Sequence, residues 1–170
     1  MDVFEAINKR RSIRKYKNKQ VEKEKIFKVL EAARLGPSAA NNQPCHFIVV
    51  TDSQVRESLK AAYSADWLLK APAIIVVCAD PRQSWRRRDG EEFWKVDGAI
   101  AMQNLILTAT DLGLGTCWIA NFSENELKGA LNIPKDFKVV AITTLGYSDE
   151  EKRPATERKP LEAIVHSEKW

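Results

Sequence analysis

Two stretches of this 170-residue chain carry side chains whose types and spacing suit chemistry on an anion or a flat polar ligand. The first is "NKRRSIRKYKNK" (8–19), in which seven of the eleven residues from Lys9 to Lys19 are cationic and none is acidic. A run this basic serves as a solvated face, as a contact for nucleic acid or a membrane surface, or as one wall of a pocket for a small anion. Within it "RSIRKY" alternates, so Ser12, Arg14 and Tyr16 share one side of an extended segment while Ile13 packs on the other. A planar guanidinium beside a hydroxyl is good chemistry for phosphate. The second stretch is "GPSAANNQPCHF" (36–47), where Ser38, Asn41, Asn42 and Gln43 lie between Pro37 and Pro44. Such a stiff loop offers amide donors and acceptors to the edge of a heterocycle, or is a plain polar connection.

Other chemistries find little support. Cys45, Cys78 and Cys117 are odd in number and widely spaced, which suits neither a disulfide framework nor a CxxC site and favours a reducing, cytoplasmic setting. With only His46 and His166, a multi-histidine metal centre within one chain is not expected. The Gly113-x-Gly115 pair lacks a third glycine and follows a helix rather than a strand, so it reads as a helix stop, not a dinucleotide fingerprint. No GxxxxGK[ST], HExxH or GxSxG occurs. The net charge of +4 permits nucleic-acid binding without asking for it, and Tyr16 stands nearly alone as a stacking residue among the cations. No nucleic-acid role is expected, nor a membrane one, since the longest apolar run, near 71–79, is too short to span.

The elements that must position these stretches read as follows. Asp2 and Glu5 have capping-box spacing at the start of a helix whose apolar face is Val3, Phe4 and Ile7. A second helix runs from about Glu22 to Leu35 and stops at Gly36-Pro37. Strands are expected at 46–51, 72–79, 116–122 and 138–147, and helices near 53–63 and 123–131. Residues 80–92 read as a mobile surface segment. Val96 to Leu112 is a long helix apolar on nearly every side, which predicts burial in a core or against a second subunit. The tail keeps apolar residues to Trp170 and needs something to pack against. The order is mixed, so the class is α+β.

Five pieces, "RRSIRKY" (10–16), "PSAANNQP" (37–44), "GLGTCWI" (113–119), "LGYSDE" (145–150) and "RKPLEAIV" (158–165), stand in the order and rough spacing of the FMN-dependent nitroreductase family. The chain resembles that family over nearly its whole length, as one domain, 1–170. The resemblance implies a nitroreductase-like fold, a central and mostly antiparallel sheet flanked by helices, in an interleaved homodimer with FMN in each of two interface sites. It also implies an oxidoreductase that takes hydride from NADH or NADPH and reduces nitroaromatics, quinones or similar small-molecule acceptors by alternate binding at one flavin. The alternatives are other flavin chemistry, such as reductive dehalogenation or flavin breakdown, and a flavin-binding protein without turnover.

Carried over by the same resemblance, Arg10, Arg11, Ser12 and Arg14 serve the flavin phosphate, ribityl chain and pyrimidine edge. Pro37, Ser38, Ala39 and Asn41 reach the flavin from the other subunit. Ala120 and Asn121 place backbone groups over its reactive face, and Arg158 and Lys159 close on the phosphate. No catalytic side chain is required, because the flavin carries the redox chemistry. Cys45 stands where the family often has tryptophan, and Ala120-Asn121 replaces a Gly/Ala pair. Both changes bear on the shape of the pocket, and the brevity of 80–95 bears on the substrate.

Overall fold

The computed structural model describes residues 1–153 and 157–170. Its centre is a four-stranded sheet of β1 (Cys45–Val50), β2 (Ala73–Ala79), β3 (Gly115–Ile119) and β4 (Lys138–Gly146). The strands lie in the order β1-β2-β4-β3 and every neighbouring pair is antiparallel. The helices are α1 (Val3–Lys9), α2 (Lys23–Arg34), α3 (Ser53–Ser58), α4 (Asp66–Lys70), α5 (Trp94–Asp111) and α6 (Glu124–Leu131). The α+β class and the antiparallel sheet are therefore as expected.

The central strand β2 is buried on both faces. On β2, Ala73, Ile75 and Val77 join Val29, Ala33, Met102, Leu105 and Ala109 of α2 and α5 in one core. The alternate residues Ile74, Val76 and Cys78 face the other way, onto Leu59, Leu68 and Leu127. Because helices cover both sides, β2 reads as a continuous apolar run although its partners are antiparallel. Helix ends follow local chemistry. Asp2 Oδ1 accepts from Glu5 N at 2.8 Å, Asp52 Oδ1 accepts from Gln54 N and Val55 N, each at 2.9 Å, and α6 closes on left-handed Asn132.

Two expectations need correction. The helix near 53–63 ends at Ser58 and continues only as a 3-10 turn over Leu59–Ala61, and α4 beyond it was not foreseen. The segment 80–92 follows a defined path. Asp80 is buried and takes the Arg82 guanidinium through both carboxylate oxygens at 2.9 Å. A small hairpin follows, with Phe93 N donating to Trp85 O, Arg86 paired to Glu92 at 2.5 Å and Arg87 paired to Asp89. Within this chain, Lys95, Val96 and Gln103 of helix α5 face outward, so the chain's own core covers only part of that helix. The apolar face of α1 stays outside this chain's core: Val3 is 69% and Phe4 77% exposed, and only Ala6 of that helix is buried. Among the described residues no helix is long and apolar enough to cross a membrane.

Helix α5 lies close on the sheet because Gly98 has no side chain. A Cβ there would meet Val140 Cγ2 at 2.6 Å and Cγ1 at 2.9 Å. Gly98→Ala should cost about 1–3 kcal/mol by overpacking, lowering Tm by roughly 2–4 °C per kcal/mol in a domain of this size. A thermal double-mutant cycle with Val140→Ala should show the two losses to be less than additive. Additive losses would mean that the contact is not the cause.

Candidate functional site

The basic stretch is held on the edge of β3. Ser12 bridges Thr116 in parallel, and Ile13 N donates to Thr116 O at 2.8 Å. Ile13 points inward over Gly115, where an added Cβ would lie 2.7 Å from Ile13 Cγ1, so only glycine admits this contact. Tyr16 closes the turn, its hydroxyl donating to Ile13 O at 2.6 Å and meeting Thr144 Oγ1 at 2.5 Å. Burial drives the Tyr16 phenol well above its ordinary value, so it remains a neutral strut.

With Ile13 and Tyr16 inward, the cations face a cleft of about 190 Å³. Its walls include Lys9, Arg10, Arg11, Gly115, Glu150 and Lys152, and at its floor Thr110 of α5. The Arg11 guanidinium is engaged by carbonyls, Nη1 donating to Asn8 O and Arg10 O at 2.6 Å each and Nε to Arg153 O at 2.9 Å. Lys9 pairs with Glu5 and Lys152 with Glu150. Arg10 is half-buried and has no carboxylate partner among the described residues, which leaves its charge to an external anion. Ser12 stands beside it. Arg14 is exposed, with its guanidinium carbon 5.8 Å from the Trp67 ring centroid.

Glu150 anchors the turn from across the cleft, its Oε1 accepting from Arg14 N at 2.6 Å. Burial works to raise its carboxyl. The Arg14 N–H and the Lys152 ammonium outweigh that and hold it below the usual carboxylate range.

The amide loop lies elsewhere. Pro37 and Ser38 line a second cavity of about 120 Å³, shared with Arg34, Gln43, Cys45 and Asp97 at the opposite end of α5. Asp97 Oδ1 accepts from Ala39 N at 2.9 Å, and Ser38 Oγ accepts from Gln43 N at 2.9 Å. Ala40, Asn41 and Gln43 all take positive φ, between 51° and 56°, and Asn41 is exposed. Burial, then the charge of Asp97, push the Cys45 thiol up to about 11, so it is no thiolate nucleophile.

Within one chain, then, Arg10, Arg11 and Ser12 come together, with Arg14 next to them, and Pro37, Ser38, Ala39 and Asn41 form a separate group. Ala120 and Asn121 are exposed just beyond β3. Arg158 and Lys159 are exposed in the tail and do not line the cleft. Glu150, Lys152 and Asp97 were not among the expected site residues, and Lys9 was included only as part of the basic run; Asp97 shows in the sequence as an acid within an otherwise apolar helix. The cation set fits a phosphate-bearing cofactor: among the described residues Arg10 and Arg14 have no carboxylate partner, and a hydroxyl, Ser12, and a backbone edge lie between them in the chain.

The model of the nitroreductase family matches residues 7–65 and 58–147. A protein of Archaeoglobus fulgidus, provisionally described as an NADH dehydrogenase/NAD(P)H nitroreductase, is 39% identical over 99% of both chains. The structure of a nitroreductase family protein from Clostridium difficile 630 superposes with a TM-score of 0.93 at 32% identity, covering 100% of both chains. That of an FMN-dependent nitroreductase from Clostridium difficile R20291 gives 0.84 at 34% identity, covering 97% of this chain and 98% of the other. The fold is that of the nitroreductases. The chain belongs to the nitroreductase family.

Because the Glu150 carboxyl is depressed on folding, its contribution is present above the ordinary value of 4.5 and lost as pH falls through the depressed one. Thermal melts of the wild type and Glu150→Gln should therefore differ at neutral pH, with the wild type the more stable. The gap should narrow as pH drops below 4.5. A gap that does not change with pH would mean that the anchor does not act through its charge.

Proposed function

We propose that the basic cleft of one subunit and the amide loop of a second together hold FMN, in a homodimer that passes hydride from NADH or NADPH to nitroaromatics, quinones or similar small acceptors. The chain is an NAD(P)H-dependent flavin oxidoreductase of the nitroreductase family. The observation that carries the proposal is the separation of the two groups. Asp97, which holds the loop, and Thr110, which floors the cleft, are thirteen residues apart on one unbroken helix, about 20 Å along its axis. Cavities of about 120 and 190 Å³ are each smaller than the roughly 300–1,000 Å³ of ordinary ligand pockets.

A two-fold axis across α5 joins the halves. Antiparallel apposition of α5 with its mate puts the Asp97 end of one against the Thr110 end of the other and makes two equivalent sites. The outward stripe of α5 (Val96, Ile100, Gln103, Leu107), the exposed Val3 and Phe4 of α1, and the exposed apolar residues of the tail, Leu161, Ile164, Val165 and Trp170, supply surface for such a union.

In this reading Arg10, with Ser12, holds the phosphate. Arg158 and Lys159 join it from the tail, whose start is tied to the cleft through Arg153 O. Arg11 and Arg14 set positive charge on the same side, where it stabilises negative charge that develops on the ring during reduction. Ser38, Ala39 and Asn41 of the second subunit present polar groups to the ring edge. The backbone at Ala120 and Asn121 borders the reacting face. FMN, when bound, supplies the hydride acceptor and donor, so the protein's own work is binding, orientation and electrostatics.

Purified protein should show an oxidised-flavin spectrum that bleaches under anaerobic NADH or NADPH and returns with a quinone. The division of the site has its own test. Arg10→Ala and Asn41→Asp should each inactivate a homodimer. Mixed one to one with subunit exchange, they should recover about a quarter of the wild-type sites, because a mixed dimer concentrates both lesions in one site and leaves the other intact. No recovery despite proven exchange would place both groups in a site made by one chain, and a colourless protein that takes up no FMN would remove the flavin reading altogether.

A further inference from the structure

We propose that Asp97 is the positioning residue of the amide loop: its carboxylate sets the backbone of Pro37–Pro44 in the conformation that meets the flavin. This rests on the flavin reading above and assigns a role to a residue outside the segments that reading uses. Asp97 is only 2% exposed, in the first turn of α5. Its Oδ1 accepts from Ala39 N at 2.9 Å, while Oδ2 is buried without a hydrogen-bond partner and the side chain lines the loop's cavity.

That arrangement is poor for stability alone. A buried carboxylate loses its hydration, and one backbone N–H offsets little of the loss. An apolar residue would suit the helix better, as its neighbours Gly98, Ala101 and Met102 show by their burial.

What the carboxylate does secure is the loop. Ala40, Asn41 and Gln43 hold left-handed backbone without a glycine among them. Asparagine tolerates this geometry and alanine and glutamine do not, so the conformation persists only where its surroundings impose it. Ser38 O accepts from Asn41 N at 2.9 Å and Ala39 O from Asn42 N at 3.2 Å, both inside the loop. Pro44 O accepts from Asp80 N at 2.9 Å, which fixes only the loop's end. The bond from Ala39 N to Asp97 ties its interior to the rigid helix. Ala39 follows Ser38 and precedes Asn41 by two residues, so a shift of that N–H moves the groups proposed to face the ring.

The test is FMN titration of apoprotein by fluorescence quenching, with wild type, Asp97→Ala, Asp97→Asn and Asp97→Glu, alongside thermal melts. Asparagine keeps the acceptor for Ala39 N and should bind FMN within about threefold of wild type. Alanine removes the acceptor and should weaken FMN about tenfold or more, with folded protein still present. Glutamate keeps the charge but displaces the oxygen by one methylene, into a cavity with room for it, and should weaken binding about as much as alanine. If the alanine variant does not fold, the asparagine and glutamate pair decides. Wild-type affinity in Asp97→Glu would overturn the proposal, and so would equal losses in asparagine and glutamate. Failure of the wild type itself to bind FMN would instead overturn the underlying flavin reading, so the two failures are distinct.

Discussion

A helix of eighteen residues is a rigid spacer, about 27 Å long, and the length of α5 governs how this protein can make a site at all. The helix is fixed to the sheet by the Gly98–Val140 approach and to α2 through the shared core. Its two ends therefore cannot be brought together by local adjustment. The amide loop hangs on its N-terminal end and the cations cluster around its C-terminal end. A chain built this way has either two unrelated minor pockets or two halves of one larger site completed by a second copy. In the proposed dimer, the exposed apolar surface of α1, of the outward stripe of α5 and of the tail is what the second copy covers.

The cationic end illustrates how a charged segment is given a fixed geometry. Seven cations in eleven residues repel one another and favour an extended, solvated chain. Three apolar or neutral anchors oppose this: Ile13 over Gly115, the Ser12–Thr116 bridge, and the Tyr16 hydroxyl between Ile13 O and Thr144. Carbonyl contacts then immobilise Arg11, and carboxylates occupy Lys9 and Lys152. With Lys15 on Asp149 and Lys19 on Glu22, four of the seven cations of the run are committed within the molecule, and among the described residues Arg10, half-buried at the cleft, has no carboxylate partner and can meet an anion. A purely solvated charge run would not need a glycine cut to the shape of an isoleucine.

The sheet and most helices were legible because their signals are local. Asp2 and Asp52 cap where capping chemistry predicts, and the β-branched run at β2 is a buried strand. The alternation of "RSIRKY" also placed Ile13 inward correctly, but it set Tyr16 on the outer side with Ser12 and Arg14, whereas Tyr16 turns in and is buried with Ile13. What escaped the sequence is what depends on distant partners. Asp97 looks like a flaw in an apolar helix until Ala39 N is found beside it. The segment 80–92 looks unstructured because its ties, Asp80 to Arg82 and Arg86 to Glu92, are ion pairs between residues that composition marks as solvated. The apolar face of α1 has the right period for a core helix, and periodicity does not say whose core it belongs to.

The side chains at both ends of α5 share one property: none is a strong nucleophile or a tuned proton donor. The Cys45 thiol is held up by burial, and Tyr16 is a neutral strut. Chemistry at such a site has to come from a bound cofactor, and selectivity then rests on where that cofactor is placed. Placement by backbone groups is exact only if the backbone is overdetermined. The loop at 37–44 meets that condition through left-handed residues and the buried carboxylate of Asp97, each unfavourable on its own. The stability given up there is small beside the two-sided core of the sheet, which is why this fold can carry a strained loop at one end of its central helix.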